Sequence, residues 1–173
     1  VDRPEPIAIT VGVRRPTVVV SEGLVAAATT DTLTAVVAHE RAHVRRHDTR
    51  WALADVLAAA LLPAAARRAL LGELVLAREQ ACDRDAAQAS GPDGAIRVAM
   101  ALTEVARLRL AATPGDVAAS SGSLEARIAY LLGGAKPPPP RLITPPRVAL
   151  VLTALGAGPL HDVVEHAVAY ILH

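Results

Sequence analysis

Four consecutive prolines at residues 137–140 constrain the fold of this 173-residue chain more than any other feature of its sequence. Proline has no backbone N–H and a fixed φ, so neither a helix nor a central strand can run through such a stretch. It forms a stiff polyproline spacer instead. We therefore predict a folded domain over residues 1–135, a proline-rich linker over 136–146 and a separate apolar segment over 147–173.

The composition excludes several classes of protein. Apolar residues make up 52% of the chain, which is too high for a disordered protein. The net charge is +1 and aromatic residues make up 2%. Tracking of phosphates needs excess positive charge and base stacking needs aromatic rings, so we expect no nucleic-acid partner. The single cysteine, Cys82, excludes an internal disulfide and fits a reducing compartment.

The pattern of apolar residues predicts an α+β fold that is mostly helical. Short β-branched runs at residues 7–13 and 17–20 predict a strand pair, with Arg14 to Pro16 as the turn. Apolar residues at helical spacing predict helices that continue to about residue 132. These helices are expected over residues 24–28, 29–47, 51–61, 73–89, 94–110 and 123–132, with a loop over 111–122.

The segment His39-Glu40-Arg41-Ala42-His43 has the spacing of an HExxH zinc motif. Residues four apart on a helix are offset by about 40°, so the two imidazoles project from one face and can share a metal ion. Glu40 lies about 100° from His39, where it can reach a water rather than the metal. The alternative is a helix with surface histidines, and the apolar stripe that flanks the motif favours the metal site.

A catalytic zinc ion needs a third protein ligand and one open position. A third histidine six residues after His43 is absent, because Thr49 occupies that place, and His47 lies too far along the helix. Glu79 is the better candidate, since Asp83 lies four residues later on the same predicted helix. Asp83 could then accept the outer N–H of a ligating histidine and fix its tautomer.

The spacing leaves a second interpretation of Glu79 open. It could belong to an exposed ladder of salt bridges with Arg78 and Arg84. Cys82, which lies between the two carboxylates, is expected to be a small buried helix residue rather than a ligand.

Residues 32–48 resemble the active-site helix of the BlaR/MecR-type antirepressor zinc peptidases and, more distantly, of the HtpX and CAAX prenyl-protease group. Three further segments are similar to parts of those catalytic units: the strand and turn at 16–24, the third-ligand segment at 79–83 and the ERI…LL helix at 123–132. The resemblance covers about residues 5–135. It implies a compact gluzincin unit that binds Zn²⁺ through His39, His43 and Glu79, with Glu40 as the catalyst.

The resemblance implies a zinc-dependent metalloendopeptidase, in which a zinc-activated water attacks the peptide bond and Glu40 acts as general base. Its substrate would be a peptide or protein, and antirepressor relatives suggest regulatory cleavage of a transcriptional repressor. Two alternatives stay open: an HtpX-like quality-control peptidase of membrane proteins, and a non-catalytic zinc-binding sensor. Arg127 or Tyr130 could donate to the transition-state oxyanion, but the sequence cannot place either near the metal.

Membrane association is a further expectation. Residues 51–66 are apolar except for Asp55. Two membrane crossings between His43 and Glu79 would need about 40 residues, and 35 intervene, so we expect 51–66 to be a core or surface helix rather than a membrane span. The apolar segment 147–173 has the spacing of an amphipathic helix, suited to a membrane surface or a partner helix, whereas the resemblance implies a transmembrane helix. Both interpretations stay open. The resemblance places the protein at a membrane, with the catalytic unit on the cytoplasmic side.

Overall fold

The computed structural model describes residues 2–60, 62–112 and 117–133. The chain divides into two compact units. Among the described residues, 2–49 and 76–133 belong to the first unit, and 50–60 and 62–75 belong to the second. The predicted linker over 136–146 and the apolar segment over 147–173 lie outside the described residues.

The first unit begins with a two-stranded antiparallel sheet. Strand β1 (Ala8–Val11) pairs with strand β2 (Thr17–Val20), and Thr10 lies opposite Val18. Ala8 is buried and Thr10 half-buried, whereas the side chains between and after them, Ile9 and Val11, are exposed. This alternation gives the hairpin one inner face, which carries Ala8 and Thr10.

The helices of the structure are α1 (Glu22–Ala27), α2 (Thr30–Arg46), α3 (Asp48–Ala59), α4 (Ala64–Ala89), α5 (Gly94–Ala112) and α6 (Val117–Leu131). Helix α2 begins where the Thr29 side chain accepts a hydrogen bond from the Thr32 N–H. It ends at His47, which adopts the left-handed conformation at φ 55°. Both ends of the helix are therefore fixed locally.

Small residues let helices α2, α4 and α5 approach closely in the first unit. Its buried cluster consists of Ala35, Ala86, Val98 and Ala101. Helix α5 begins at Gly94, where a Cβ atom would lie 1.9 Å from the Ala87 carbonyl oxygen, so only glycine fits there. The core built in this way packs against helix α2, which contributes Ala35 to it.

The α+β, mostly helical class that the sequence predicts is confirmed, but two element boundaries are wrong. Helix α4 begins at Ala64 rather than at residue 73, because the alanine-rich stretch after Pro63 has high helix propensity. Helix α6 begins at Val117 rather than at Ser123, so part of the predicted loop over 111–122 is helical. Its serines and Gly122 suggested a loop.

Helices α3 and α4 supply the described residues of the second unit. Several large apolar side chains of α3 are exposed, and Trp51 is the most exposed of them at 61%. Within the described ranges, none of the helices combines the length and apolarity that a bilayer crossing requires.

Candidate metal centre

Two histidines of helix α2 and one glutamate of helix α4 bring their ligand atoms together. The Nε2 atoms of His39 and His43 lie 3.0 Å apart, and the two rings stand nearly perpendicular. Glu79 faces both rings, with Oε2 3.4 Å from His39 Nε2 and Oε1 3.5 Å from His43 Nε2. All three ligand atoms lie within 4.8 Å of one another.

The second nitrogen of each ring faces a carboxylate. His43 Nδ1 lies 2.8 Å from Asp48 Oδ2 and donates a hydrogen bond to it. His39 Nδ1 lies 2.9 Å from Asp83 Oδ1 in a short ion-pair contact. These partners favour the tautomers with the proton on Nδ1, so the lone pairs of both Nε2 atoms point at each other and at Glu79.

Such a donor set suits Zn²⁺. Two ligands of one tetrahedral zinc ion lie roughly 3.3–3.6 Å apart, given Zn–N and Zn–O bonds of about 2.0–2.2 Å. The contacts between His39, His43 and Glu79 measure 3.0–3.5 Å. Two nitrogen lone pairs and a carboxylate at these distances repel one another unless a proton or a metal cation lies between them. The residues therefore fit a zinc ion.

The electrostatics of the site favour positive charge. Burial alone would lower the pKa of His39, but the hydrogen bonds and charges of Asp83 and Glu79 outweigh burial and raise that pKa to about 9. A site that stabilises a proton on His39 so strongly also stabilises a metal cation in its place.

Arg127 of helix α6 binds two carboxylates of the site, those of Asp83 and Glu79. Its Nε and Nη2 donate to the two oxygens of Asp83, each at 2.7 Å, and its Nη1 lies 2.9 Å from Glu79 Oε2. Asp83 is fully buried. Burial raises the pKa of Asp83, but the hydrogen bonds from Arg127 and His39 prevail and hold it below its usual value. Both carboxylates therefore stay ionised at neutral pH.

The pKa of Glu79 is also lowered. Burial raises it, but the hydrogen bond with His39 and the charge of Arg127 have the larger combined effect. Glu79 forms ion pairs with His39, His43 and Arg127. Of the two arginines of the predicted ladder, Arg84 donates to the Tyr130 hydroxyl and Arg78 lies 3.9 Å from Asp48.

The two candidate oxyanion donors have partners of their own. Arg127 is held by Asp83 and Glu79, and Tyr130 accepts the hydrogen bond from Arg84. The donor role that the sequence left to either side chain therefore stays a prediction, and the contacts of Arg127 indicate a positioning role instead.

Asp48 is one of two site residues that sequence reasoning missed. Besides the His43 ring it accepts from the Cys82 thiol, whose Sγ lies 3.2 Å from Asp48 Oδ2. Burial and then Asp48 raise the pKa of Cys82, so the thiol is neutral and acts as a buried donor. His43, Asp48 and Cys82 also lie close enough to hold an ion, but the protons of the first and third are directed at Asp48.

Thr10 is the second residue that sequence reasoning missed. Its hydroxyl lies 2.7 Å from Glu40 Oε2 and 3.1 Å from the Glu40 backbone oxygen. Glu40 itself is buried, at 8% exposure. No local pattern in the sequence signals this contact, because the two residues are 30 positions apart and meet only when β1 packs against α2.

The model of peptidase family M48 matches residues 1–114, which include the hairpin, both histidines, Glu40 and Glu79. A search of curated proteins and a search of solved structures found no match to this chain.

Proposed function

Because this chain belongs to peptidase family M48, whose members are zinc-dependent metallopeptidases, we propose that it hydrolyses internal peptide bonds of peptides or proteins at the His39–His43–Glu79 site. The observation that carries the proposal is the convergence of two histidine Nε2 atoms and the Glu79 carboxylate within 4.8 Å. The sensor alternative is less favoured, because Glu40, the expected base, is present next to the ligands.

In this proposal His39, His43 and Glu79 hold Zn²⁺, which when bound lowers the pKa of a water and polarises the scissile carbonyl. Asp48 keeps the proton of His43 on Nδ1, and Asp83 does the same for His39. Arg127 keeps Asp83 and Glu79 apart and in place by binding to both. These charged contacts set the direction of the ligand atoms before substrate arrives.

Glu40 carries the proton in the proposed reaction. A carboxylate oxygen of Glu40 accepts a proton from the attacking water and delivers it to the nitrogen of the leaving amine. The buried position of Glu40 on the ligand helix favours this role, because it limits competing contacts with solvent.

The finer assignment comes from the resemblance of residues 32–48 to the BlaR/MecR-type antirepressor peptidases. On that basis we propose regulatory cleavage of a repressor, with the site on the cytoplasmic side of a membrane, and HtpX-like quality control as the alternative. The membrane part of this proposal depends on residues 147–173, which lie outside the described residues.

The test combines metal analysis with cleavage of a peptide library by the full chain. We expect about one zinc ion per chain, cleavage that a chelator stops and zinc restores, and loss of at least about 10³-fold in kcat/KM for Glu40→Gln with its zinc retained. Glu79→Gln should lower zinc affinity. Glu73→Gln on the same helix α4, where the side chain is exposed, is the matched control and should retain both properties. Undiminished cleavage by Glu40→Gln would contradict the proposal.

A further inference from the structure

We infer that Thr10 is a positioning residue that holds the Glu40 carboxylate in its working orientation, an inference that rests on the function proposed above. The carboxylate of Glu40 accepts the Thr10 hydroxyl at 2.7 Å on Oε2. Its other oxygen, Oε1, is then the one left to take the proton of the attacking water. In this arrangement Oε2 of Glu40 fixes the orientation of the carboxylate and Oε1 accepts the proton.

The hydroxyl donates to the carboxylate rather than to the backbone. A hydroxyl carries one proton, and the Glu40 Oε2 contact at 2.7 Å is shorter than the backbone contact at 3.1 Å. The Glu40 carbonyl also lies inside helix α2, where it accepts from the N–H four residues later. An ionised acceptor makes the shorter and stronger bond, so the proton belongs on the carboxylate side.

The strand pair fixes the donor in space. Thr10 lies on the inner face of β1, where it pairs with Val18 of β2. Ala8, two residues earlier on the same face, is buried at 8% exposure. A β-branched side chain has a restricted χ1, so a threonine in a paired strand presents its hydroxyl in one direction. A glutamate side chain has three rotatable bonds and gains a fixed orientation from such a partner.

The first test measures activity with Thr10→Val, Thr10→Ser and Thr17→Val. Thr10→Val keeps the shape and the strand propensity and removes the hydroxyl. Its kcat should fall about 10- to 100-fold, with KM within about twofold and zinc content unchanged. Thr10→Ser should recover kcat to within about threefold of the wild type. Thr17→Val, whose hydroxyl contacts only the exposed Arg15 carbonyl among the described residues, is the matched control and should leave kcat unchanged.

The second test needs no metal and no turnover. A double-mutant cycle with Thr10→Val and Glu40→Met, followed by urea unfolding of the metal-free chain, measures the coupling between the two side chains. We expect the unfolding equilibrium constants to depart from additivity by about tenfold, as for a hydrogen bond to a charged acceptor. Thr10→Ala replaces Thr10→Val in the cycle if the valine variant is poorly folded.

Additivity in the cycle overturns the inference, and so does a kcat of Thr10→Val within twofold of the wild type. Equal losses for Thr10→Val and Thr10→Ser also overturn it, because the hydroxyl would then be irrelevant. Failure of the proposed function looks different, since Glu40→Gln would then cleave as well as the wild type whatever happens at Thr10.

Discussion

Replacing Arg127 by methionine tests whether the acidic side of the site is held by charge. Arg127 makes two hydrogen bonds of 2.7 Å to Asp83 and an ion pair of 2.9 Å to Glu79. Methionine has a similar length and no charge, so the variant keeps much of the packing and leaves the His39 ring, 2.9 Å away, as the remaining cationic contact of Asp83 among the described residues. Asp83 is fully buried, and water cannot easily replace the lost donors.

The expected loss of stability follows from this burial. Removing one partner of a buried ion pair destabilises a protein by about 3–5 kcal/mol, because the remaining charge stays buried and uncompensated. The Arg127 side chain is 16% exposed and His39 still faces Asp83, so partial solvation and this second partner place the estimate at the lower end, about 3 kcal/mol. With a urea m-value of about 2 kcal/mol/M, the midpoint should fall by roughly 1.5 M. The melting temperature should fall by about 6–12 °C.

The assay is urea unfolding of the metal-free chain at several pH values. The pKa of Asp83 in the folded protein lies below its usual value of 3.8, so the pair stabilises the protein above that pH, and the contribution is lost as pH falls through the folded pKa. The difference between wild type and Arg127→Met should therefore be constant near pH 7 and shrink below about pH 4.

Arg84→Met is the matched control for this prediction. Arg84 follows Asp83 in the sequence, is exposed and donates to the Tyr130 hydroxyl. Its replacement should lower stability by less than about 0.5 kcal/mol. A loss below about 1 kcal/mol for Arg127→Met, or a loss equal to that of the control, would refute the reasoning about a buried, charge-held carboxylate.

Two further perturbations follow from the same contacts. Asp48→Asn should weaken zinc affinity about 10- to 100-fold in a chelator competition assay, because His43 loses its charged partner. Asp85→Asn, which removes a carboxylate that pairs with Arg46, is the control. Equal zinc affinity in both variants would contradict this role of Asp48. Glu104→Gln should lower the melting temperature at pH 7, and the difference from the wild type should shrink as the pH falls below about 4.5. The hydrogen bond from Thr32, chiefly, lowers the pKa of Glu104 below 4.5, so its contribution is present above that pH and is lost as the pH falls through the folded pKa. A pH-independent difference between wild type and Glu104→Gln would argue against this account.

The parts of the site that lie on one helix could be predicted from the sequence. The positions of His39 and His43 relative to each other follow from a four-residue spacing, and so do those of Glu79 and Asp83. Spacing fixes which side chains share a face, but it does not fix which two helices meet. The sequence therefore left two interpretations of Glu79 open, a metal ligand and a member of a salt-bridge ladder. The packing of the first unit brings its carboxylate within 3.5 Å of both histidine rings.

The contacts between distant segments could not be predicted. Thr10 is an ordinary strand residue by composition, and its hydrogen bond to Glu40 exists because the hairpin packs on α2. Arg127 lies on the predicted helix over 123–132, but its salt bridges reach 44 residues back along the chain to Asp83. In both cases tertiary packing determines the partner. The periodicity of apolar residues in strands and helices predicts which face of an element is buried, but it does not predict such a contact.

Asp48 shows why even a near neighbour can escape a spacing argument. On a continuous helix a residue five positions after His43 lies about 140° around the axis and points away from it. Here His47 takes the left-handed conformation at φ 55°, which ends α2 and turns the chain before α3 begins at Asp48. The carboxylate then returns to within 2.8 Å of His43 Nδ1. His47, in a left-handed conformation that residues other than glycine adopt infrequently, is thus what brings His43 its partner.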